Sequence, residues 1–195
     1  MRNKLAGVLA AGALGVSSVA MANVQQPDFY VGAQMGHMDT SVKTQDVDGS
    51  ALTGVTGGLF TGLKYNLNND FFMGAEANVQ FSDADFKADG NKTKINEGWG
   101  LGILGGVNVT PATSFYGRVG YHETKFKYKD ADFSEDNWKK TFNGVRFGVG
   151  SETALTDQPA LRMELTRTHY SSETINDIKY KTTENLVQVG LKFKF

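Results

Sequence analysis

The last nine residues of the chain alternate strictly between apolar and polar side chains. One side of the pattern carries Val187, Val189, Leu191, Phe193 and Phe195, and the other carries Gln188, Gly190, Lys192 and Lys194. A period of two predicts a β-strand with one apolar face. Such a face can pack on a soluble core or against lipid, so the rest of the chain must decide between the two.

Seven earlier segments repeat this alternation, at 29–36, 55–65, 71–81, 99–107, 115–122, 145–150 and 161–166. No stretch after residue 22 is long and apolar enough for a transmembrane helix, which needs about 20 apolar residues. The mean hydropathy is negative, although glycines and aromatic residues are numerous. A transmembrane barrel reconciles these features, because each of its strands turns only one face to lipid.

The connections between these segments alternate in length. Short turns are predicted at 66–70, 110–113 and 156–159, and longer polar loops at 40–53, 82–94, 129–137 and 171–181. Short turns on one rim and long loops on the other are typical of bacterial barrels. We therefore predict an all-β fold, an eight-stranded antiparallel up-and-down transmembrane β-barrel. Eight strands leave a lumen only wide enough for side chains.

The N-terminus has the form of an export signal. Arg2 and Lys4 precede a short apolar run, and the Ala-Met-Ala sequence at 20–22 has the small-x-small pattern of a cleavage site. We predict a signal peptide at 1–22 and a single barrel domain at 23–195.

Charge and composition exclude several classes of function. The chain has 20 basic and 21 acidic residues without a basic patch, so nucleic acid is not an expected partner. It has no cysteine, which excludes disulfides and thiolate metal sites. The three histidines, His37, His122 and His169, fall on separate predicted strands, so we expect no metal site. No cofactor is expected.

Ionisable residues occur on the polar face of the predicted strands, where they would point into the lumen. They are Glu76, Arg118, Arg146, Glu152, Arg162 and Glu164. Unpaired buried charge is costly, so we predict a closed ionic network that plugs the lumen. For Glu152, a solvated position near a rim is the alternative. A small porin-like channel would need this network to be open.

Aromatic residues gather at both ends of the predicted strands. Phe29, Tyr65, Phe71, Phe115, Phe193 and Phe195 fall near the short turns, and Phe81, Trp99, Tyr121 and Trp138 fall toward the long loops. Two such bands are expected where a barrel meets the two membrane interfaces.

The eight segments, the export signal and the terminal strand together resemble a family of small outer-membrane barrels. These include the OmpA transmembrane domain, the OmpX/Ail proteins and the opacity-like porin family. The segment 109–121, a turn followed by a strand, looks like one of their repeating units. The resemblance implies the bacterial outer membrane as location. It also implies that Val187, Val189, Leu191, Phe193 and Phe195 form the signal for the barrel-assembly machinery. We expect no peptidoglycan-binding domain after Phe195.

One short motif raises the possibility of an enzyme. His169 and Ser171 give a His-x-Ser pattern that resembles the lipid A deacylase barrel, whose triad on the outer wall includes a downstream acid. Glu173 or Glu184 could supply that acid. Two features depart from the pattern: Glu184 faces inward by parity, and Ser172 stands where the deacylases have Asn.

The leading hypothesis is a non-enzymatic integral membrane protein that displays charged loops for surface structure or adhesion. The expected contact residues in the second and third loops are Asp83, Asp85, Lys87, Asp89, Asp130, Asp132, Glu135 and Asp136. Binding residues on a barrel are expected in its loops. The expected partners are outer-membrane lipid and lipopolysaccharide, and a host or surface ligand. The alternative is that these loops are merely solvated.

Overall fold

The computed structural model describes residues 26–43, 48–83, 85–88, 91–129, 139–171, 173–175 and 178–195. Side chains are described outside 42–52, 84–96, 126–140 and 172–180. Among the described residues, no helix is long and apolar enough to cross a membrane.

The described residues form eight long strands and two short ones. The long strands are β1 (Asp28–Lys43), β2 (Asp48–Asn66), β3 (Phe71–Ser82), β5 (Asn91–Asn108), β6 (Thr113–Lys129), β7 (Lys139–Ala154), β8 (Pro159–Tyr170) and β10 (Ile178–Lys194). The short strands are β4 (Asp85–Ala88), which pairs with β5, and β9 (Glu173–Ile175), which pairs with β10.

Each long strand pairs antiparallel with its neighbour in the chain, and β10 pairs back onto β1 to close the barrel. This closure confirms the prediction of an eight-stranded, antiparallel, up-and-down barrel. It also removes sheet edges, whose unpaired backbone groups have no partner in hydrocarbon.

The strand register sets the width of the barrel. Following cross-strand partners around the wall leads from Val31 on β1 back to Ser41 on the same strand, which is ten residues further on. Eight strands with this shift of ten, a rise of about 3.3 Å and a spacing of about 4.8 Å tilt by about 41°. The backbone radius is then about 8 Å, so side chains from opposite walls can meet.

Burial alternates along the strands as the sequence pattern requires. In β8 the side chains of Arg162, Glu164 and Thr166 are buried in the lumen, whereas Met163 and Leu165 are exposed on the outer wall. The apolar residues are therefore on the outside, the reverse of a soluble domain, because hydrocarbon is the solvent of that face.

The exposed apolar surface has the height of a bilayer core. Phe71 and Phe81 stand at the two ends of the outer face of β3, and both are about half exposed. Ten residues at about 3.3 Å each, tilted by about 41°, span about 25 Å, which matches the apolar band of outer-membrane barrels.

The short turns lie at one rim of the barrel, which we call the lower rim, and side chains close them. Asn68 Oδ1 accepts hydrogen bonds from the backbone N–H of Asp70 and Phe71, at 2.9 and 2.7 Å. Thr110 Oγ1 accepts from Ala112 and Thr113, at 3.2 and 2.9 Å. These side-chain caps explain why Asn and Thr occupy these turns.

The strands are longer than the alternating segments from which they were predicted. The segments 40–53, 82–94 and 171–181 were predicted as loops, but β1 continues to Lys43, β2 begins at Asp48 and β10 begins at Ile178. Two short strands, β4 and β9, also lie in these segments. Beyond the membrane a hairpin needs only its hydrogen-bonded ladder, so polar residues on both faces do not end a strand.

Two equally exposed side chains test the membrane orientation of the barrel. Ile103 on β5 is 64% exposed and pairs with Ala75, near the middle of the span from Phe71 to Phe81, whereas Leu67 is 60% exposed in a short turn. We predict that Ile103→Arg lowers the free energy of unfolding by about 2–4 kcal/mol, whereas Leu67→Arg changes it by less than about 1 kcal/mol. Urea titration of the protein in lipid vesicles measures both. Equal effects would contradict the orientation.

Candidate functional site

A cluster of four charged residues lies at the middle of the lumen; we call Glu76, Arg118, Arg162 and Glu164 the central cluster. Arg118 Nη1 lies 2.7 Å from Glu76 Oε1 and 3.3 Å from Glu164 Oε1. Arg162 Nη1 lies 2.5 Å from Glu76 Oε2, and Arg162 Nη2 also pairs with Glu164 Oε2. Each guanidinium therefore contacts both carboxylates, and the charges balance.

The central cluster bridges opposite walls of the barrel. Glu76 is on β3 and Arg162 is on β8, which are four places apart in a ring of eight long strands. Their side chains therefore meet across the full diameter. A contact of this kind is possible because the eight-stranded barrel is narrow.

Two tyrosines complete the hydrogen bonding of the central carboxylates. Tyr30 Oη donates to Glu76 Oε2 at 3.1 Å, and Tyr116 Oη donates to Glu164 Oε2 at 2.8 Å. Glycines make room for the tyrosine rings. A Cβ at Gly62 would lie 2.5 Å from Tyr30 Oη, and one at Gly150 would lie 2.4 Å from Tyr116 Oη.

A second cluster lies nearer the long loops, and we call it the upper cluster. Arg146 Nη2 pairs with Glu184 Oε1 at 2.6 Å, Arg146 Nε donates to Thr168 Oγ1 at 2.8 Å, and Arg146 Nη1 donates to Gln80 Oε1 at 3.2 Å. Tyr170 Oη donates to the other oxygen of Glu184 at 2.9 Å. Strands β3, β7, β8 and β10 thus contribute to one bonded layer.

A third ion pair, the lower pair, lies toward the short turns. Lys192 Nζ pairs with Glu152 Oε2, and it also sits 4.8 Å from the centre of the Tyr30 ring. Below it, a cavity of about 150 Å³ opens at the rim, and its lining includes Asp28 and Lys64. The lumen therefore narrows from this rim toward the central cluster.

Among the described residues, the buried carboxylates and the buried Arg and Lys side chains are equal in number. They comprise four carboxylates (Glu76, Glu152, Glu164 and Glu184) and four cations (Arg118, Arg146, Arg162 and Lys192). Desolvating one ion costs several kcal/mol, and pairing with further hydrogen bonds offsets that cost. Balanced pairing therefore offsets the cost of burying these side chains in a narrow lumen.

Comparison with known proteins identifies the family. The family described as outer membrane protein beta-barrel domain matches residues 6–195. The chain belongs to this family. This confirms the small-barrel resemblance and the location in the bacterial outer membrane. No curated protein matches the sequence.

Solved outer-membrane barrels share the fold. Neisserial surface protein A has a TM-score of 0.61 and 14% identity, covering 88% of this chain and 100% of its own. Ail of Yersinia pestis has a TM-score of 0.52 and 13% identity, covering 85% of this chain and 98% of its own. At these identities, the likeness concerns the fold alone.

The structure separates the predicted lumen residues into groups. It brings Glu76, Arg118, Arg162 and Glu164 together, but Arg146 lies in the upper cluster and Glu152 in the lower pair. The two partners, Glu184 and Lys192, were not included in the predicted network. Both lie on inward positions of the last strand, so their parity was a signal that could have found them.

A buried histidine lies beside the central and upper clusters. His122 is fully buried, and neither of its ring nitrogens has a hydrogen-bond partner among the described residues. It packs closely against Gly98 and Gly100, where an added Cβ would lie 2.9 Å from its ring nitrogens. The described residues contain no group of three His, Cys, Asp or Glu side chains that could hold a metal ion.

The two residues of the His-x-Ser motif lie on the opposite side of the barrel wall from Glu184, one of their candidate acids. His169 and Ser171 are exposed on the outside, whereas Glu184 is fully buried in the lumen with Arg146. Within the described part, no hydrogen bond joins the His169 ring to Ser171. The side chain of Glu173 lies outside the described residues.

The predicted loop contacts are described only in part. Asp83 is exposed at the end of β3, and its N–H donates to the carbonyl of Val55 at 3.0 Å. The side chains of the other predicted contacts lie outside the described residues; these are Asp85, Lys87, Asp89, Asp130, Asp132, Glu135 and Asp136.

Two ion pairs in different surroundings test the energetics of the lumen. We predict that Glu76→Ala lowers the free energy of unfolding by about 3–5 kcal/mol, because Arg118 and Arg162 are left with too little negative charge in a buried site. The control is Glu97→Ala, which breaks the exposed Lys125–Glu97 pair at 3.2 Å. That change should cost less than about 1 kcal/mol. Urea unfolding in vesicles measures both, and a cost for Glu76→Ala no larger than the control's would refute the prediction.

Proposed function

We propose that the protein is a non-enzymatic outer-membrane scaffold whose lumen is plugged and whose loops supply its surface activity. The observation that carries this proposal is the contact of Arg162 with Glu76 across the diameter of the barrel. A solute would have to break this pair and pass the upper cluster and the lower pair as well.

The energy needed to open the lumen favours a closed state. Separating the central cluster would leave Glu76, Arg118, Arg162 and Glu164 without their charged partners, and each is nearly inaccessible to solvent. Breaking one buried pair costs about 3–5 kcal/mol, so an open lumen would be a rare state. These costs argue against a porin-like channel.

The loops remain as the surface available for recognition. Long strands carry them beyond the apolar band, and a rigid barrel holds their bases in fixed positions. Functional residues commonly occur on loops held by such scaffolds. Ail, a barrel of similar fold, is known in complex with the heparin analogue sucrose octasulfate. We infer a surface ligand for this chain too, alongside lipopolysaccharide and the membrane lipid around the wall.

The last strand supports a further part of the proposal, assembly by the barrel-assembly machinery. Val187, Val189, Leu191 and Phe193 lie on the outer face of β10 and are exposed. The backbone N–H of Phe195 donates to the carbonyl of Phe29 at 2.9 Å. The strand proposed to carry the assembly signal is therefore also the one that closes the barrel onto β1.

Conductance in planar bilayers tests the plugged lumen. We expect no stable current steps from the wild type. The double variant Glu76→Ala/Arg162→Ala removes the cross-diameter pair but keeps Arg118 and Glu164 in balance. Because the upper cluster and the lower pair stay in place, we expect small, brief steps. The control is Glu97→Ala/Lys125→Ala, which removes an ion pair outside the lumen and should stay silent. Wild-type steps as large as those of the double variant would contradict a closed lumen.

Loop replacement tests display as the source of activity. Replacing 82–94 or 130–138 with short Gly-Ser linkers should abolish binding of the cells to host surfaces or sulfated polysaccharide, with the barrel still folded in the outer membrane. Retained binding in both variants would argue against the loops. Deacylation of lipid A by the wild type that is lost in Ser171→Ala would instead establish an enzyme.

A further inference from the structure

An open groove of about 380 Å³ runs along the outer wall over β7, β8 and β10. Val149, Leu165 and Val187 are cross-strand partners in one row of this groove, and all three are exposed. Phe147 extends the apolar lining on the side toward the loops. The groove is shallow and open, and it presents apolar side chains to the bilayer.

A cation stands at the loop end of this groove. Arg167 is the cross-strand partner of Phe147 on one side and of Asn185 on the other. Its Nε donates to Asn185 Oδ1 at 2.7 Å, which orients the guanidinium. Among the described residues no carboxylate forms an ion pair with Arg167, so both terminal nitrogens are available to a ligand.

The register places Arg167 at the level of the upper aromatic band. The ladder from Tyr121 runs through Val145 to His169. The register climbs ten residues over eight strands, or about 2.5 residues over the two steps from β6 to β8. The position on β8 at the height of Tyr121 is therefore about 2.5 residues before His169. Arg167 therefore lies at the height of Tyr121, where lipid headgroups meet the acyl chains.

The wall above Arg167 is polar. His169 is exposed next to its partner Thr183, and Lys181 follows on the outer face of β10. These side chains supply hydrogen-bond donors and acceptors just beyond the phosphate level. A lipid with a sugar headgroup could use them, whereas a small phospholipid headgroup would not reach as far.

We propose that this groove and Arg167 form a binding site for lipid A in the outer leaflet. One acyl chain lies along Val149, Leu165 and Val187, and a headgroup phosphate is bound by the guanidinium. Arg is suited to this role because its planar fork binds phosphate through two parallel hydrogen bonds. The site is on the outer wall, so it is independent of the plugged lumen and of the loops.

Native mass spectrometry of the full mature barrel tests the site, after reconstitution in phosphatidylcholine nanodiscs containing some bisphosphorylated lipid A. We expect Arg167→Gln to lower lipid A retention by about tenfold, the loss expected for one charge-assisted contact. Lys125→Gln, which removes another exposed cation from the outer wall, should leave retention unchanged. Val149→Phe keeps Arg167 but fills the groove, and it should also lower retention.

Three outcomes would overturn the proposal. The first is equal retention of lipid A by the wild type and by both Arg167→Gln and Val149→Phe. The second is retention of phosphatidylglycerol as tight as that of lipid A, which would make the site a general anion contact. The third is a dimer in nanodiscs without lipid A that Val149→Phe abolishes, because the groove would then be an interface between two copies.

Discussion

The pairing of β10 with β1 is the interaction on which the rest of the structure depends. It joins the two ends of the sheet from Tyr30 and Lys194 up to Lys43 and Lys181. Without it, two strand edges would expose unpaired N–H and C=O groups to hydrocarbon, at several kcal/mol for each group. Closure with a register shift of ten also fixes the radius at about 8 Å, and this radius lets Arg162 reach Glu76.

The narrow radius turns a polar lumen into an ordered stack of ion pairs. Side chains too long to fit beside a neighbouring side chain occupy the space over glycine, as Tyr30 does over Gly62 and Tyr116 over Gly150. The carboxylates then accept from a guanidinium and a phenol together, which offsets the cost of their burial. Because each cluster draws residues from several strands, the lumen also braces the wall against distortion.

The barrel separates three surfaces with different chemistry. The lumen holds paired charge, the outer wall is apolar with aromatic residues at its ends, and the polar strand ends lead to the loops. The wall between them is a continuous hydrogen-bonded sheet, which keeps the three surfaces out of contact with one another. This separation is the physical reason why the proposed plugged lumen, the proposed lipid contact at Arg167 and the proposed ligand binding at the loops are compatible in one small protein.

The sequence alone determined the face of each strand, because strand geometry sends successive side chains to opposite sides. Alternation was enough to assign eight strands, to place Glu76 and Arg118 inside, and to place Ile103 in lipid. It could not determine which charges meet. The contact of Arg162 with Glu76 and that of Arg146 with Glu184 depend on the register between strands distant in the chain, and no local pattern encodes that register. The tertiary structure decided these pairs, because only the closed, tilted barrel sets which inward residues share a level.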